Sequence, residues 1–175
     1  MGGFDLFSVL KPVYVKLMVV GGVLLVAGLF APCYFLVTNE GEHYSMNAFG
    51  GSLVDFFVSA EFFNQLAAYV SLIFAIVTLV TPFIVARLPE GSGRKYVGVV
   101  SCLGVICALM SIIYLHLWLG EFSPVGSFVN FGSGDSWGPS IGYFLTWVAM
   151  GFLFGATYLS EGLVQKPVQR TLDEN

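Results

Sequence analysis

The chain is predicted to be an all-α membrane protein, a four-transmembrane-helix bundle of the tetraspan type, and three observations lead there. Only 10% of its 175 residues are charged while 57% are hydrophobic, against about 25% charged in soluble domains. Mean hydropathy is +0.83, far too apolar for a solvated disordered chain. The apolar residues also gather into four stretches, each long enough for the roughly 20 residues that cross a bilayer core of about 30 Å.

The first stretch runs over residues 13–37, with Lys16 near its start. The second covers 65–88, the third 96–119 and the fourth 141–161. Each is continuous rather than alternating in polarity, so each reads as a helix and not as a barrel strand. Residues 1–175 therefore form one membrane domain, with outer loops at 38–64 and 120–140. Lys11 and Lys16 ahead of an apolar run that ends Phe-Ala-Pro-Cys also resemble a signal peptide with a lipoprotein cysteine. Pro32 directly before Cys33 would block a peptidase and the run is long for a signal core, so a retained span is expected.

Orientation follows from the basic residues, which are held on the cytoplasmic side of a membrane. Lys11 and Lys16 stand before and at the start of span one, Arg87, Arg94 and Lys95 flank the link between spans two and three, and Lys166 and Arg170 follow span four. Those are all seven Lys and Arg of the chain. Five acids accompany them, giving +2 inside, and six acids without a base give −6 outside. Both termini are thus expected in the cytoplasm, in a plasma or cell membrane. With a net charge of −4, phosphate recognition has few cations to draw on, and no nucleic-acid partner is expected.

Between the spans, Met1–Pro12 has an apolar side suited to the interface and Pro89–Lys95 reads as a tight turn. In the first outer loop Leu53, Phe56, Phe57, Ala60, Phe63 and Asn64 recur at helical spacing, which predicts a short amphipathic helix on the membrane surface. The second outer loop is rich in Gly and Ser, yet it carries Phe122, Phe128, Phe131 and Trp137. Phe56, Phe57, Phe63, Phe128, Phe131 and Trp137 form either an interfacial aromatic belt or a partner surface.

Within the bundle, small residues mark where helices can approach closely. Gly151 and Gly155 form a GxxxG pair in span four, with Gly104 and Ala108 as the looser version in span three. Gly21, Gly22, Ala27 and Gly28 thin part of span one. Pro82 interrupts span two and is expected to kink it, with Thr78 and Thr81 near enough to satisfy the freed carbonyls.

Groups that could carry chemistry are few. His116, with Glu121 five residues on, is the only His, Asp, Glu, Lys or Arg well inside a span, and it is near the outer end. It suits a ligand, a quinone partner or a pH sensor, or an interfacial histidine bonded to a carbonyl or to Glu121. Proton-coupled antiport calls for a carboxylate near the midplane, such as the first-helix glutamate of the small four-span drug exporters, and none is present. A zinc or copper site from His43, His116, Cys33 and Glu40 or Glu42 has no ligand spacing to support it. No cofactor, no metal and no enzymatic activity are expected.

In plan, with four spans, cytoplasmic ends, a larger first outer loop and a smaller second one, the chain resembles the claudin and peripheral-myelin type of tetraspan. The Trp-Gly-Leu-Trp segment and cysteine pair of that first loop have no counterpart in residues 38–64, so no residue role is carried over. The expected function is a non-enzymatic structural or accessory subunit, a tetraspan scaffold contacting other integral membrane subunits through helix faces and aromatic outer loops. A small oligomeric channel or transporter is the alternative, and a redox or quinone-adjacent subunit using His116 a second one.

Overall fold

The computed structural model describes residues 12–49, 62–122 and 136–160. Four helices carry the fold: α1 (Val13–Phe30), α2 (Phe62–Val85), α3 (Glu90–Phe122) and α4 (Ile141–Ser160). All four are long and apolar enough to cross a membrane. Each packs on two neighbours, so the bundle runs α1, α2, α3, α4 and back to α1, with the α1–α4 seam the most extensive.

Helix α1 begins after Pro12, whose carbonyl accepts from the amides of Val15 and Lys16. It ends at Phe30, because Ala31 is extended (φ −70°, ψ 157°), as expected for a residue whose αR conformation is disfavoured by a following proline. The expected span over 13–37 is therefore too long. At 1.5 Å per residue its 18 residues give about 27 Å, and the chain then leaves the bundle as β1 (Tyr34–Val37).

Strand β1 is the centre of a three-stranded antiparallel sheet of order β2-β1-β3, where β2 is His43–Met46 and β3 is Ser136–Pro139. Tyr34 stands opposite Met46 and Pro139, and Leu36 opposite Tyr44 and Trp137. Period-two alternation puts Tyr34, Leu36, Met46 and Trp137 on one face, and that face joins the hydrophobic core. The β1–β2 turn closes on Thr38, whose amide donates to the Glu42 carbonyl and whose carbonyl accepts from Gly41. Gly41 has φ +82°, a left-handed value that favours glycine. No strand is anticipated by the apolar periodicity, which continues from α1 straight through YFLV.

Helix α3 also differs from expectation. It starts at Glu90 and takes in most of the anticipated Pro89–Lys95 turn, with the Pro89 carbonyl accepting from Ser92 and Gly93. Its 33 residues extend about 50 Å, beyond the hydrocarbon core. Most of the anticipated amphipathic helix, with Phe56 and Phe57, lies outside the described residues, as do Phe128, Phe131 and Met1–Lys11, while its last positions, Phe63 and Asn64, belong to the first turn of α2.

Candidate functional site

Glycines create close helix approaches, several of them at the α1–α4 seam. A Cβ on Gly142 would lie 2.6 Å from the Ala31 and Gly28 carbonyl oxygens and 2.9 Å from that of Pro32. One on Gly28 would lie 2.6 Å from Thr146 Oγ1, and one on Gly21 2.8 Å from Leu153 Cγ. On the α1–α2 side, a Cβ on Gly22 would overlap Thr78 Oγ1. A Cβ on Gly104 would lie 3.1 Å from Leu153 Cδ1 across α3–α4, and Ala108 is fully buried. The GxxxG pair of α4 is placed differently. Gly151 is exposed and a Cβ there would meet nothing within 4 Å, while one on Gly155 would make only an ordinary contact with Leu17 at 3.5 Å. Gly151 therefore makes no intrachain seam, because the α4 face toward α1 carries Gly142, Thr146, Ala149 and Leu153 instead.

Hydroxyls inside the bundle bond mainly to backbone of their own helix. Thr78 Oγ1 donates to the Ala75 carbonyl (2.7 Å), Thr81 Oγ1 to Val77 (2.8 Å), Thr146 Oγ1 to Gly142 (2.9 Å) and Thr157 Oγ1 to Leu153 (3.0 Å). Neither threonine near Pro82 bonds to the Thr78 carbonyl, the one a proline at 82 leaves without its amide. Pro82 is buried within α2, and the Ala86 amide reaches its carbonyl at 3.1 Å. One hydroxyl does cross between helices, Ser71 Oγ to the Cys107 carbonyl at 2.8 Å. Ser101 Oγ is fully buried and has no partner among the described residues.

At the end of the bundle away from the sheet, Arg94 joins three helices. Its Nε donates to the Ser160 carbonyl at 2.6 Å and Nη2 to Leu159 at 2.9 Å, and its guanidinium lies 5.9 Å from the Tyr14 ring centroid. The last carbonyls of a helix have no internal partner and carry partial negative charge, so a forked cation is well suited to them.

The opposite end of the bundle is closed by the sheet. Pro32 and Cys33 are tied on both sides: the Cys33 amide donates to Met46 (2.7 Å), its carbonyl accepts from Ser140 (2.9 Å), and the Gly142 amide donates to Pro32 (2.7 Å). Burial pushes the Cys33 thiol up to about 12, against a smaller lowering by the Ala48 backbone. Burial likewise pushes Tyr34 up to about 12. A thiol held protonated is a poor nucleophile or metal ligand, and no group of three His, Cys, Asp or Glu comes together among the described residues.

The anticipated surface residues divide. Trp137 is not a surface residue: it is 8% exposed, because β3 turns it inward opposite Leu36. Phe63 and Glu121 lie in helices, but their side chains are outside the described set. His116 is half-buried, with Nδ1 3.2 Å from the Ile112 carbonyl and its ring 5.5 Å from that of Tyr143. Tyr143 in turn meets Phe144 edge-on at 5.5 Å and Trp147 at 6.4 Å. Phe144, Trp147, Phe154 and Tyr158 are the exposed aromatics of α4.

Sequence reasoning passed over the Arg94 clamp, the role of Gly142 and the orphan Ser101. Gly142 had a signal, standing beside the Pro139-Ser140 helix start, whereas nothing local marks Arg94 as different from Lys95. Comparisons with protein-family models, with curated proteins and with solved structures find no match.

Proposed function

We propose that the chain is a structural or accessory subunit of a larger integral membrane assembly, a tetraspan scaffold with no enzymatic role of its own. Both termini face the cytoplasm of a cell membrane, and the partners are other membrane subunits. The observation that carries this reading is how the polar groups inside the bundle are used. Six hydroxyls, those of Ser71, Thr78, Thr81, Thr146, Thr157 and Ser160, donate to backbone carbonyls. Transport pathways and proton relays are built from ionisable groups facing a bundle interior or a water-filled cavity, and buried hydroxyls already bonded to backbone offer a solute little.

The outward surface suits lateral contact. On α4, Phe144, Trp147, Val148, Gly151, Phe154 and Tyr158 are exposed, a mixture of large side chains around a glycine of the kind that packs against another helix. Purification in a mild detergent followed by native mass spectrometry tests the proposal. Retention of defined membrane partners is expected, and migration as a lone monomer with no partner contradicts it.

A further inference from the structure

Helices α2 and α3 pack against each other. They are pinned where Ser71 Oγ donates to the Cys107 carbonyl at 2.8 Å. Between that bond and the sheet end of the bundle lies a groove of about 220 Å³ lined by Leu66, Ala67 and Val70 of α2 and by Cys107, Met110 and Tyr114 of α3. We propose that this groove is a binding site for one acyl chain of an outer-leaflet lipid.

Shape, position and chemistry all point to that occupant. From Cys107 to Tyr114 the groove follows seven residues of α3, about 10 Å along the helix axis, so a chain lying in it runs parallel to the helices as bilayer acyl chains do. A groove of about 220 Å³ is too small to take a neighbouring helix, which is about 10–12 Å across with its side chains. A dry apolar cavity of about 150 Å³ is already large enough to take a small hydrocarbon. Side chains around the groove are apolar apart from the Cys107 thiol and the Tyr114 phenol, which leaves a headgroup no charged partner within it. The groove is also continuous with the outward apolar surface of the two helices, where Leu66, Tyr69 and Ile73 of α2 and Ile106, Met110 and Ile113 of α3 are exposed.

The inference rests on the bilayer-spanning reading of the bundle and is independent of its role as a subunit. The full chain is reconstituted in phosphatidylcholine vesicles carrying a diazirine on the acyl chain, photolysed, and mapped by mass spectrometry. Adducts are expected to be severalfold more frequent on the Leu66–Val70 and Cys107–Tyr114 peptides than on the outward face of α4 around Phe154. Ala67→Phe, which fills the groove, should remove that excess and leave labelling near Phe154 unchanged. Met110→Ala, which widens the groove without adding bulk, should raise labelling of Cys107, and it keeps the test open if Ala67→Phe does not fold. Equal labelling of groove and α4 face overturns the site, as does a photoreactive sterol labelling the groove where the acyl probe does not. Absence of acyl adducts from all four helices would overturn the bilayer-spanning reading itself, and the site with it.

Discussion

Alanine at Gly142 and alanine at Gly151 should have opposite effects, although both glycines lie in α4. At Gly142 the new methyl meets three backbone oxygens, those of Ala31, Gly28 and Pro32, at 2.6–2.9 Å. None is the end of a flexible side chain, so α1 and α4 must move apart. Overpacking of this kind costs about 1–3 kcal/mol. Separation also weakens the bond from the Gly142 amide to the Pro32 carbonyl, now 2.7 Å, worth roughly 0.5–1.5 kcal/mol. Gly142→Ala should therefore destabilise the bundle by about 2–4 kcal/mol, or roughly 5–15 °C for a chain of this size. At Gly151 the methyl meets nothing within 4 Å and removes a helix penalty of roughly 0.5–1 kcal/mol, so Gly151→Ala should leave the isolated protein unchanged or slightly more stable. The fraction remaining monodisperse after heating in mild detergent measures both. Equal tolerance of the two substitutions, or a larger loss at Gly151, would refute the assignment of the seam to Gly142.

Further substitutions and titrations test other parts of the fold. Arg94→Ala should lower stability by about 1–2 kcal/mol, because two charge-assisted bonds at a solvent-exposed position are lost; Arg94→Lys should recover only part of it, since an ammonium lacks the planar fork. Both are read by the same heating assay. Ser101→Ala removes a buried hydroxyl with no partner among the described residues, and is expected to be neutral or stabilising by about 1 kcal/mol. Cys33 should resist alkylation in the folded protein well above neutral pH and react once the chain is denatured. Its thiol and the Tyr34 phenol, both pushed up to about 12 from ordinary values of 9.0 and 10.0, keep their protons in the fold longer than in the unfolded chain. The stability they contribute is complete below pH 9 and declines between pH 9 and 12, which a melting series over that range measures.

The four helices were legible because bilayer thickness imposes a length and composition that few other structures need. Boundaries were harder. Tyr34–Val37 is as apolar as α1, and only Pro32 signals that the helix has stopped. Ser136–Pro139 contains a glycine and a proline, and becomes a strand because β1 supplies the edge it pairs with. Trp137 illustrates the same dependence, since an aromatic in a Gly- and Ser-rich loop reads as surface until its register opposite Leu36 turns it inward. GxxxG spacing marks where close approach is geometrically available. Which glycine is used was decided by helix azimuth, and that favours Gly28 and Gly142 over Gly151. Arg94 is one of three basic residues near the link, and its partners, the Leu159 and Ser160 carbonyls, are more than sixty residues away.

Single-cysteine labelling on intact cells tests the orientation of the four spans most directly, using an impermeant maleimide on variants in which the native cysteines are replaced. Glu40→Cys lies at the exposed β1–β2 turn and Ser92→Cys at the exposed start of α3. Labelling of Glu40→Cys from outside, with Ser92→Cys reached only after permeabilisation, is the predicted result. External labelling of Ser92→Cys, or partition of the unmodified chain into the soluble fraction without detergent, would contradict a four-span bundle that keeps its basic residues inside.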